Sequence, residues 1–128
     1  MKNWIIAAAV IVAGLATAAG PAAAQSGEAA KGQRVFNTQC KSCHTLEKDG
    51  AQVTGPNLHG LVGRKAGTEP YFDYSKAMKS FDHVWDEETL FTYLASPKAM
   101  VPGTKMTFQG LKDEQARRNV IAYLATLK

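Results

Sequence analysis

Cysteine is scarce: the 128 residues contain two, Cys40 and Cys43, standing three apart. A bridge between them would close a tiny loop and constrain little of the unfolded chain, which excludes a disulfide framework. No segment alternates apolar and polar residues as a half-buried strand would, and no repeat or low-complexity tract follows the N-terminal region. Charge of one sign is in short supply too, with a formal net charge of +4 at pH 7. Nucleic-acid binding calls for a dense basic stripe that is missing; so mild an excess fits steering towards acidic partners better.

One long apolar run is present. It extends from Trp4 to Leu15 behind the positive Lys2, and small residues follow it, ending in Ala22, Ala23 and Ala24 before Gln25. That pattern predicts a signal peptide over 1–24, cut after Ala24, and a periplasmic mature domain over 25–128. The alternative is a retained anchor. A span needs about 20 apolar residues, however, and this stretch meets Gly14, Gly20 and Pro21, so no stable membrane insertion is expected after cleavage. Losing Lys2 leaves a charge of about +3, that is +4 less one. About a hundred residues remain, close to the lower limit for one self-sufficient core. A chain of that size usually needs a staple, and the two cysteines are placed to hold one.

The remaining pattern is helical. Residues 28–40 read as a first helix with Val35 and Phe36 on its apolar side. The stretch 50–70, punctuated by Gly and Pro, reads as loop, and 74–81 as a short helix. Asp86 is placed to cap a helix over 87–94, with Glu87 and Glu88 in its first turn and Pro97 ending it. Residues 99–110 hold Pro102, Gly103 and Gly110 and read as irregular. Asp113 can cap a last helix whose Val120, Tyr123, Leu124 and Leu127 fall at i, i+3, i+4 and i+7. The expected class is all-α, four to five helices with long loops wrapped around something rigid.

Chemistry concentrates in Cys40-Lys41-Ser42-Cys43-His44. In C-x-x-C-H, two thiols on one helical turn can reach the two vinyl groups of a haem, and the next imidazole meets the iron. The expectation is one covalent haem c, with His44 as a ligand. A thioredoxin-like pair would want a βαβ context. A zinc site would need a further ligand at matching spacing, and His59 and His83 are isolated. For the second axial position the candidates are Met78, Met100, Met106, His59 and His83. Met106 has the best local reason, a loop from Val101 to Met106 stiffened by Pro102 and able to turn at Gly103.

These residues carry a family resemblance. From Gly32 to Leu127 the chain resembles class I cytochromes c, that is mitochondrial cytochrome c and its short, cytochrome c2-like bacterial relatives. The matching elements are Gly32, Phe36, the C-x-x-C-H, Gly55-Pro56-Asn57-Leu58, Gly63-Arg64, Tyr74, Trp85, Tyr93-Leu94, Pro97-Lys98, Pro102 to Met106, Phe108 and Tyr123-Leu124. The resemblance implies the cytochrome c fold, with Met106 as the distal ligand opposite His44. It further implies that the Pro56 carbonyl meets the His44 ring N–H, and that Arg64, Tyr74 and Trp85 bond the buried propionates. Tyr93 and Thr104 would steady the Met106 side, Phe108 would cover the exposed edge, and Gly32 and Phe36 would pack on Val120 and Tyr123. Two positions depart from the mitochondrial pattern: Met78 stands where a polar Asn is usual, and Gln52 where many forms have a loop-bracing His.

A thioether paired with an imidazole favours ferrous iron, and two protein ligands leave no open position for substrate. The resemblance therefore implies a soluble, monomeric single-electron carrier of a respiratory type, and not an enzyme. It would shuttle between a membrane reductase and an oxidase or other acceptor. Lys41, Lys98 and Lys105 are the expected docking charges for acidic patches on those partners. The alternatives are an electron-relay subunit of an exported dehydrogenase, a peroxidase-like haem protein, or a zinc module at Cys40, Cys43 and His44.

Overall fold

The computed structural model describes residues 26–128, so the leader expected over 1–24 and its cut after Ala24 lie outside the described residues. Five helices follow in order: α1 (Ala29–Gln39), α2 (Lys76–Lys79), α3 (Glu87–Ala95), α4 (Pro97–Met100) and α5 (Glu114–Ala125). Among the described residues there is no strand, only an isolated antiparallel bridge between Lys65 and Val84. No helix among them is long and apolar enough to cross a membrane.

The helix starts follow local chemistry. The Asp86 carboxylate accepts from the Thr89 N–H at 2.7 Å and the Asp113 carboxylate from the Ala116 N–H at 2.7 Å. Each satisfies a donor that the first helical turn leaves orphaned. Ser75 does the same for Met78, which trims the short helix expected over 74–81 to the single turn of α2. One expectation is corrected. Pro97 does not merely terminate α3, which already ends at Ala95, because Ser96 is extended (φ −163°). Pro97 opens α4 instead, so part of the expected irregular stretch is helical. Proline suits the first helical position, where its missing N–H would have had no partner.

The helices α1 and α5 cross closely, and Gly32 is the reason they can. A Cβ there would run into the Asn119 carbonyl oxygen and come 2.8 Å from the Tyr123 Cβ. Beside the crossing, the rings of Phe36 and Tyr123 lie 6.1 Å apart, and Val120 is 1% exposed. Two polar residues of α5 are buried as well, which the apolar stripe did not reveal. Asn119 accepts from the Glu28 N–H at 2.9 Å, closing the start of α1. Arg117 lays its guanidinium 4.3 Å from the Phe91 ring centroid and donates to the Leu111 carbonyl at 2.6 Å. Such partners offset the cost of burying polar groups. The loops between these helices surround a cavity.

Candidate functional site

The end of α1 delivers the thiols. The Lys41 N–H donates to the Phe36 carbonyl at 2.9 Å, and the Cys43 and His44 N–H groups both reach the Cys40 carbonyl at 3.1 Å. These bonds wind the motif into one further turn, so Cys40, Cys43 and His44 face a common space. That space is a cavity of about 400 Å³, lined also by Leu58, Leu61, Leu90, Leu94, Val120 and Leu124. Protein interiors are close-packed, and a void of this size inside a small domain belongs to a ligand.

On one wall the His44 Nδ1 stands 2.7 Å from the Pro56 carbonyl, which makes Nδ1–H the donor and turns Nε2 towards the cavity. Gly55 permits that approach: a Cβ there would come 2.5 Å from the His44 Cε1. Burial lowers the His44 pKa and the Pro56 bond partly opposes it, so the ring is neutral at pH 7 and able to ligate. Burial also pushes the Cys40 thiol up to about 11, with the Cys43 thiol adding to the shift. Both cysteines are free.

Met106 lines the same cavity. Its sulfur accepts from the Tyr93 hydroxyl at 3.3 Å, and its N–H donates to the Thr104 hydroxyl at 3.2 Å. Burial raises the Tyr93 pKa against a lowering bond with Thr104, keeping the phenol a donor. Of the five candidates for the second axial position, Met106 and Met78 line the cavity. Met100 packs on the core from outside it, His59 bonds the Leu46 carbonyl at 3.0 Å, and His83 stacks on Phe81 at 4.2 Å.

Tyr74, Trp85, Thr104 and Phe108 also line the cavity, so every expected site residue is gathered there except Arg64. The Arg64 guanidinium donates instead to the Asn57 carbonyl at 3.1 Å, the His59 carbonyl at 3.2 Å and the Glu69 carboxylate. These bonds use the Nη1 and Nη2 groups of Arg64. Glu69 also accepts from the Gln52 amide at 3.2 Å, while Gln52 accepts from the Asn57 N–H at 2.6 Å. Gln52 therefore braces the loop, a contact the departure from His left unassigned. These partners meet only when the long loop between α1 and α2 folds back on itself. Tyr74 accepts from the Glu69 N–H at 3.1 Å and keeps its own O–H free to donate.

A sequence model of the cytochrome c family matches residues 29–128. The chain belongs to the cytochrome c family. Relatives include cytochrome c of Sesamum indicum, 48% identical over 101 residues, 79% of this chain and 91% of that one. Cytochrome c of Chlamydomonas reinhardtii is 48% identical over 103 residues, covering 80% and 92%. Among solved structures, cytochrome cH from Methylobacterium extorquens superposes with a TM-score of 0.73 at 44% identity, covering 78% of this chain and 99% of that one. The cytochrome c family consists of electron carriers with covalently bound haem c, and the residues here fit that group. Two thiols three apart, a neutral imidazole and a thioether converge on one apolar cavity. Among the described residues no three His, Cys, Asp or Glu side chains gather closely enough to hold a metal ion, so the zinc alternative has no preformed site.

Proposed function

We propose that this cytochrome c is a periplasmic shuttle for single electrons, carrying haem c on Cys40 and Cys43 with His44 and Met106 as the two iron ligands. The observation that carries the reading is the placement of His44 and Met106 on the same cavity as the two thiols, each held by its own hydrogen bond. When bound, the haem supplies a one-electron couple between ferrous and ferric iron. Pro56 holds the imidazole in the ligating tautomer, and Tyr93 with Thr104 holds the thioether. With both ligands anchored, little reorganisation accompanies electron transfer, and no position stays open for substrate. Leu58, Leu90, Leu94 and Leu124 keep water away, which favours the less charged ferrous state. Tyr74 and Trp85, which line the cavity, would donate to the carboxylate groups of the haem. Export rests on the leader read over 1–24.

Acidic patches on a reductase and an oxidase are the proposed docking partners. Lys41, Lys98 and Lys105 are all exposed, and Lys105 reaches the cavity itself. Docking of this kind is fast and sensitive to salt. Transfer rates should therefore fall as ionic strength rises, and a flat response removes the docking reading.

Oxidised and reduced visible spectra of the exported protein, taken with its intact mass, test the main reading. The expected result is the mass of residues 25–128 plus one haem, with the charge-transfer absorption of sulfur-ligated ferric iron. A colourless protein, or a haem protein lacking that absorption, overturns it.

A further inference from the structure

The lysines proposed for docking are not equivalent. Lys105 donates to the Asp73 carboxylate at 2.9 Å and to the Asp73 carbonyl at 2.8 Å. The second oxygen of the same carboxylate lies 3.9 Å from the Lys79 ammonium. Asp73 sits between Phe72 and Tyr74, both of which line the cavity, as Lys105 does. The ion pair therefore straps the loop before α2 to the Met106 loop at the cavity's edge. Among the described residues Lys41 and Lys98 enter no ion pair.

The Asp73 side chain is 85% exposed, and exposed pairs of this kind contribute little to stability. Their field is another matter. Lys105 and Lys79 hold the carboxyl below the usual range, so it is ionised at neutral pH. It reduces the charge of the trio from +2 to +1 at the place where an acidic partner would approach.

Building on the docking reading above, we infer that Asp73 is a specificity element of the docking surface. It competes with acidic partners for Lys105 and Lys79. A partner gains Lys105 only by displacing a carboxylate already in place. This raises the threshold for weakly acidic competitors and leaves the route open to strongly acidic ones.

The test uses the reduced holoprotein and hexacyanoferrate(III), a trianionic oxidant, in stopped flow over a range of ionic strength. Asp73→Asn keeps the shape and the backbone carbonyl that accepts from Lys105, and removes one negative charge. A unit charge about 10 Å from a trianion should raise the rate about fourfold at about 10 mM salt and about twofold at about 0.1 M. Each rate is normalised to the variant's measured potential. With a cationic tris(phenanthroline)cobalt(III) oxidant the change should reverse sign. Asp82→Asn is the control, because Asp82 pairs with Lys65 at 2.9 Å and neither residue lines the cavity. Equal effects of the two substitutions would mean that net charge alone acts, and would overturn the inference. A salt-dependent parent with an unaltered Asp73→Asn variant overturns it while leaving docking intact. A parent rate independent of salt removes docking itself, and this inference with it.

Discussion

Gly55→Ala gives a demanding test of the imidazole wall. The added methyl would stand 2.5 Å from the His44 Cε1, 2.8 Å from Nδ1 and 2.9 Å from the Cys43 carbonyl oxygen. Ordinary contact requires about 3.5 Å, so the ring or the loop must retreat by about 1 Å. That same edge of the ring carries the 2.7 Å bond from Nδ1 to the Pro56 carbonyl, so a retreating ring draws away from its acceptor. A retreat of that size takes the bond beyond the usual range, costing about 1 kcal/mol, and overpacking adds about 1–3 kcal/mol. The expected loss is about 2–4 kcal/mol, visible as a lower urea midpoint. The reduction potential of the holoprotein should move as well. An imidazole without its acceptor is a weaker donor, which destabilises ferric iron and raises the potential. A differential of about 1 kcal/mol corresponds to about 40 mV for one electron. Gly60→Ala is the companion variant: Gly60 has φ +68° and nothing within 4 Å of the added Cβ. That substitution should cost about 1 kcal/mol in backbone strain and leave the potential alone. If Gly55→Ala leaves the potential unchanged, or Gly60→Ala shifts it equally, the coupling argued here between loop and imidazole is wrong.

Other expectations follow from the same geometry. Tyr93→Phe removes the donor to the Met106 sulfur, costing about 1 kcal/mol in urea. The freed sulfur donates more strongly, so voltammetry should show the potential falling, opposite in sign to Gly55→Ala. Gly32→Ala places a methyl against the Asn119 backbone, where no side chain can yield. The helix-propensity gain of about 1 kcal/mol should be outweighed, for a net loss of about 1–2 kcal/mol in calorimetry, and a rise in stability would contradict the close crossing. The bond from Thr89 holds the Asp86 carboxyl below its usual range. A depressed folded value means that its contribution is present above about pH 4 and is lost as pH falls through the folded value. Asp86→Asn should flatten that part of the acid denaturation curve; an unchanged slope would show the carboxyl to be unimportant there.

The parts of the molecule legible from sequence are those decided within a turn or two of chain. A cap such as Asp86 or Asp113 acts across three residues, and the thiols and imidazole of the attachment turn are consecutive neighbours, so spacing alone exposes them. The Met106 loop is partly of this kind, since Pro102 and Gly103 mark it locally. Asn119 is different: it bonds the start of a helix 91 residues earlier, and nothing around it in sequence announces that. The clasp of Gln52, Glu69 and Arg64 joins residues up to 17 positions apart within one long loop, and its members look like ordinary surface polars until that loop closes on itself. Pro97 misled for a local reason, because proline both stops one helix and suits the first turn of the next.

The crossing of α1 and α5 has a consequence for the order of assembly. The face of α1 that holds Gly32 and Phe36 is covered by residues from the opposite end of the described chain. A ribosome delivers the cysteines long before it delivers that cover. Until α5 arrives, α1 has no apolar surface to lie on, and a helix of 11 residues is not stable in water by itself. The fold therefore cannot accumulate from its first helix onward; it closes as a ring, with the last segment locking the first. Closure does not hide the attachment turn, because both thiols are still only half-buried in the finished fold.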